Sequence, residues 1–82
     1  MSKNNNTERF KDEMIAIGLK IGYVRRQRCL TQEQLAEKAN ISVGFLSQIE
    51  APSMAMGFSL VTLLAIAEAL QVPPTKLLEY EI

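Results

Sequence analysis

At 82 residues, 48% of them apolar, the chain has material for one domain with a packed core and not for two. Nine basic residues balance nine acidic ones, giving zero net charge. There is no histidine, so the commonest general base and transition-metal ligand are both missing, and the single Cys29 cannot form an internal disulfide.

These features exclude several classes. No apolar run reaches the roughly 18 residues of a membrane span. Arg9, Lys11, Asp12 and Glu13 interrupt the layout of a signal peptide, so the cytoplasm is the expected compartment. Ser42, Ser47 and Ser59 have no nearby base, and no glycine loop is built to cradle phosphate. The chain is therefore not expected to be an enzyme or to hold a metal or other cofactor. Charge is unevenly spread: Arg25, Arg26 and Arg28 cluster, while Glu68, Glu79 and Glu81 lie in the last third. A neutral total can hide a basic face and an acidic one.

In chain order, residues 1–6 are polar and asparagine-rich and are expected to form a disordered tail, with one folded domain over 7–82. Phe10, Met14, Ile17, Ile21 and Val24 follow at spacings of four, three, four and three, one apolar stripe on a helix. Thr7 is its expected N-cap, and it runs to about Gln27 or Arg28. After a break at Cys29 and Leu30, Thr31 and Gln34 have the spacing of a capping box, opening a second helix to about Ala39. Asn40 is the stop signal, and Ser42 caps a third helix that ends near Glu50, with Phe45, Leu46 and Ile49 inward.

Residues 51–58 contain Pro52 and Gly57 and read as a loop. Ser59 caps a fourth helix with Leu60, Leu63, Leu64, Ala67 and Leu70 as its buried stripe, stopped by Pro73 and Pro74. Residues 75–80 give a short fifth helix anchored by Leu77 and Leu78. The expected fold is all-α, a compact five-helix bundle.

The second and third helices have the spacing of a helix-turn-helix, over about residues 31–50. The outward face of the third carries Val43, Gly44, Ser47 and Gln48. Gln can pair with the N6/N7 edge of adenine, Ser is less selective, and Val can touch a thymine methyl. Spacing alone leaves the ordinary alternative, a packed helix pair with a solvated outer face.

The segment LTQEQLAEKANISVGFLSQIE closely resembles the Cro/repressor-type helix-turn-helix family, also called the XRE family. The likeness extends back through IGLKIGYVRRQRC and on through SLVTLLAIAEALQVPPTKLL, covering roughly Ile15 to Tyr80. It implies a lambda-repressor-like DNA-binding domain. It also implies that Gln32 contacts a phosphate, that Val43, Gly44, Ser47 and Gln48 face base edges, and that Arg25 and Glu50 form a partly buried structural salt bridge. Ser42 is expected to reach either a phosphate or its own backbone. Lys20, Arg26, Arg28 and Lys38 are candidates for phosphate contact or steering.

The sequence departs from the family pattern in places. Cys29 and Asn40 stand where glycine is frequent, and Gly44 leaves a gap in the reading face. The loop APSMAMGF carries Met54, Met56 and Phe58 and no charge, where basic or polar residues are common. Those three side chains either tuck into the core or form a partner surface. Phe10 and Met14 extend the first helix; they either build a dimer interface, with Leu78 and Tyr80, or fold back on the same subunit. The resulting expectation is a transcriptional regulator, a homodimeric repressor on a palindromic operator of double-stranded DNA. The alternative is a protein-interaction module of the same fold working through residues 51–58. The length leaves no room for a separate ligand-binding domain, so regulation is expected through abundance or a protein partner.

Overall fold

Three of the helices open on a hydroxyl side chain that accepts from the backbone three residues on. The computed structural model describes residues 6–80. Thr31 accepts from the Gln34 amide at 3.0 Å while Gln34 Oε1 accepts from the Thr31 amide at 2.8 Å, completing the capping box. Ser42 and Ser59 cap in the same way, onto Phe45 and Thr62. Each such cap satisfies an amide that the helix itself cannot, for about 1 kcal/mol. The elements in order are α1 (Asn6–Arg9), α2 (Lys11–Gln27), α3 (Gln32–Ala39), α4 (Val43–Glu50), α5 (Leu60–Leu70) and α6 (Pro74–Leu77). No strand occurs among the described residues.

Helices α2, α3 and α5 end alike. Cys29, Asn40 and Gln71 each turn left-handed, at φ 60°, 60° and 61°. The next amide then reaches back five residues: Leu30 to Arg25, Ile41 to Ala36 and Val72 to Ala67, at 3.0–3.1 Å. In each case the residue after the left-handed one is apolar and packs against the core. This motif satisfies the last carbonyls and pins the chain as it leaves the helix. None of the three positions is glycine.

The core gathers Ile21 and Val24 of α2, Leu35, Ala36 and Ala39 of α3, Leu46 and Ile49 of α4, Leu63, Ile66, Ala67 and Leu70 of α5, and Leu77 of α6. Fully burying one Leu or Ile side chain is worth about 1.5–3 kcal/mol. Helix α3 packs on α4 and α5, and α2 crosses α4, α5 and α6.

Several expectations are corrected. The expected first helix is two, because the chain turns at Phe10, although the Phe10 amide still bonds Asn6 O and the Met14 amide Phe10 O, at 3.0 and 2.9 Å. The described elements therefore number six, not five. Thr7 lies inside α1 rather than capping it. Most of the expected tail falls on residues 1–5, outside the described residues, and Asn6 opens α1. The α5 stripe is rotated: Leu60 and Leu64 are exposed at 67% and 44%, and Ile66 takes the buried place. Pro73 and Pro74 do not stop α5; Gln71 does, and Pro74 starts α6 at the first-turn position where proline lacks nothing. Leu77 is buried but Leu78 is exposed.

Met56 and Phe58 pack against the core, so the loop turns two of its three large side chains inward. Met54 stays exposed. Phe10 is exposed as well, with the Arg9 guanidinium 4.9 Å over its ring, and Met14 is half-buried.

Candidate nucleic-acid interface

Helix α4 has eight residues and two distinct sides. Leu46, Ile49 and Glu50 are buried and Phe45 half-buried. Val43, Gly44, Ser47 and Gln48 are exposed, at the spacing that shares one helical face. That face carries no charge.

Glu50 fixes how α4 sits. Its Oε2 accepts from Arg25 Nε at 2.9 Å and its Oε1 from Arg25 Nη2 at 3.0 Å, a two-point ion pair. Glu50 Oε1 also accepts from Gln32 Nε2 at 3.0 Å, and Arg25 Nη1 donates to Leu30 O at 2.8 Å. The pair side chains are 11% and 5% exposed, and no buried side-chain polar atom among the described residues lacks a partner. One carboxylate thus ties the C-terminal end of α4 to α2 and to the N-terminus of α3. Such a pair orients its elements, because a planar guanidinium fork accepts only a narrow range of carboxylate geometries.

Two glycines of α2 admit α4 this closely. A Cβ on Gly18 would overlap the Ile49 carbonyl oxygen. A Cβ on Gly22 would stand 3.1 Å from Glu50 Oε1 and 3.3 Å from Arg26 Nη1. Neither glycine was identified from sequence. The available signal was glycine four residues apart inside a helical stripe, where a turn cannot explain it.

The proposed phosphate residues do not form one surface. Gln32 and Arg26 lie beside Glu50, at the α3 N-terminus and over Gly22. The Ser42 hydroxyl accepts from its own helix, so its backbone option is the one formed. Lys20 sits two positions beyond Gly18, on the side of α2 turned from α4, with its ammonium 5.6 Å over the Tyr23 ring. Arg28 donates to Gln71 O at 3.3 Å, and it shares a depression with Lys38 near the α5 C-terminus. Lys20, Arg28 and Lys38 are therefore set apart from the Gln32–Arg26 corner, because helix register places them on other faces.

The fold resembles those of known proteins. The helix-turn-helix family model matches residues 21–77, well over half the chain. The chain belongs to the Cro/repressor-type helix-turn-helix family. Among XRE-family relatives, it is 46% identical over 56 residues to the immunity repressor protein of Bacillus phage phi105, covering 68% of this chain and 38% of that one. The chain thus spans well under half the length of that relative. It also superimposes on the restriction-modification controller protein C.AhdI from Aeromonas hydrophila at TM-score 0.75 and 26% identity, covering 80% of this chain and 97% of that one. No described helix is long and apolar enough to cross a membrane.

Proposed function

We propose that the chain is a sequence-specific regulator of transcription that binds double-stranded DNA, a cytoplasmic repressor acting as a homodimer on a palindromic operator. The observation that carries this reading is the exposed Val43–Gly44–Ser47–Gln48 face on a helix whose other side is locked by Glu50. An α-helix fits the major groove, and its outward side chains meet the base edges there. Gln48 pairs with adenine, Ser47 accepts or donates to a neighbouring base, and Val43 touches a thymine methyl. Gly44 reads nothing but lets the helix approach closely.

Phosphate contacts hold the helix in register. Gln32 uses one amide hydrogen on Glu50 and has a second to give. Gln32 is the first residue of α3, and a helix N-terminus favours an anion. Arg26 adds charge at that corner. The controller and repressor names of the relatives support a regulator, and Met56 and Phe58 lying inward leave little of the 51–58 loop for a rival docking surface.

The test is selection from fragmented genomic DNA followed by titration of a recovered duplex at two salt concentrations. A recovered palindrome whose affinity falls steeply with salt supports the reading. No enrichment, and no binding even at low salt, overturns it.

A further inference from the structure

Arg28 stands where three helices end. The turns that close α2, α3 and α5 converge on one depression, which holds Arg28, Leu30, Lys38, Ala69 and Gln71. Arg28 also borders a second depression, with Val72 and Lys76. One of its guanidinium donors, Nη2, goes to Gln71 O at 3.3 Å, so most of its donor set is left over. No Asp or Glu lines either depression, and among the described residues the ion pair is Arg25 with Glu50. Glu37 sits beyond Lys38, beside Gln34, and Glu79 lines a different hollow with Lys20 and Tyr23.

Cations at helix C-termini ordinarily offset the helix dipole. Magnitudes decide how far that accounts for these three. Each helix end carries roughly half a negative charge, so three ends carry about −1.5 against three full positive charges. About half the positive charge has no complement inside the depressions. The walls between the cations are apolar, made by the half-buried Leu30, Ala69 and Val72.

We propose that Arg28, Lys38 and Lys76 form a docking groove for an acidic segment of a protein partner, in which carboxylates alternate with aliphatic side chains. The carboxylates meet the three cations, Arg28 in the two-point geometry that a guanidinium offers. The aliphatic side chains lie on Leu30, Ala69 and Val72. A phosphodiester chain matches the charge but brings no aliphatic group to those walls. The groove is separate from the exposed face of α4 and from the Gln32–Arg26 corner, so the inference goes beyond the DNA-binding reading and does not depend on it. It gives Arg28 and Lys38 a task that the phosphate corner leaves them without.

Fluorescence anisotropy of the full chain, titrated without DNA into a short labelled peptide of alternating Glu and Leu, tests the groove. Binding should be present at low salt and weaken as salt rises. Lys38→Glu with Lys76→Glu should weaken it at least roughly tenfold, while the melting curve holds, because the Arg28–Gln71 bond is kept. Arg9→Glu with Lys11→Glu makes the same change in net charge about 25 Å away, at the other end of α2, and should leave the affinity unchanged. A peptide of alternating Glu and Ser should bind roughly tenfold more weakly, for want of the aliphatic contacts. No binding at low salt overturns the proposal, as do equal losses in the two charge-reversed variants or equal binding of the two peptides. A duplex or single strand that binds more tightly than the peptide, and is lost with Lys38→Glu and Lys76→Glu, also overturns it and makes the groove a nucleic-acid contact. A chain that binds the peptide here but selects no duplex keeps the groove and sinks the proposed function.

Discussion

The Gly18 backbone lies directly against the Ile49 carbonyl, with no room for a Cβ between them. Helix α2 thus meets the end of α4 at backbone-to-backbone distance. Gly18→Ala should therefore destabilise the fold by about 1–3 kcal/mol, because backbone rather than a flexible side chain must move. Gly44→Ala is the control. A Cβ there meets nothing within 4 Å, so it should gain roughly 0.5–1 kcal/mol from helix propensity. Urea denaturation of both variants should give shifts of opposite sign. Equal shifts would remove the close approach from the account.

Removing one partner of the Arg25–Glu50 pair leaves the other buried without its counter-charge. Arg25→Ala or Glu50→Ala should cost about 3–5 kcal/mol. Gln32→Ala should cost nearer 1 kcal/mol, the net worth of one hydrogen bond. A double-mutant cycle across Arg25 and Glu50 measures the coupling. Additive losses would mean the pair holds nothing together.

The left-handed turns offer a stabilising change. A non-glycine residue in that conformation costs roughly 1–2 kcal/mol, while glycine adds entropy to the unfolded chain. Cys29→Gly should therefore raise stability by something under about 1 kcal/mol. Asn40→Gly should gain less, because asparagine tolerates the conformation. The midpoint of chemical unfolding orders the two. A loss at Cys29→Gly would show that the thiol side chain contributes packing.

On a selected operator, Gln48→Ala should cost about 1–3 kcal/mol and relax preference at one base position. Arg26→Ala should weaken binding to all sequences alike and flatten the salt dependence by about one phosphate contact. Competition titrations with single-base operator variants separate the two. A Gln48→Ala protein with unchanged preferences would take base reading away from this face.

Much of the fold was legible because its signals are local. Thr31 with Gln34, Ser42, Ser59 and Asn40 each act within a few residues, and each does in the structure what its spacing announced. The α5 stripe failed for the opposite reason. A helix with almost no polar residues has no contrast to mark its inner face, so Leu60 and Ile66 exchanged places. Pro74 is ambiguous in the sequence because proline ends one helix and begins another with equal ease, and only the left-handed turn at Gln71 decides. In the site, the Arg25–Glu50 pair was visible through family likeness alone. The Gln32–Glu50 bond and the Gly18–Ile49 contact were not, since each joins residues far apart in sequence through a geometry that only packing fixes.

Glu50 has one further effect. With its carboxylate spent on Arg25 and Gln32, α4 is held at a set angle on the rest of the domain. Little conformational freedom is left for binding to remove, and little for the protein to adjust. If α4 reads an operator as proposed, strain from a duplex of non-ideal shape would fall on the duplex. Base steps that kink or compress easily are favoured even where no side chain touches them. On the proposed function, part of the operator preference would then lie in the stiffness of DNA.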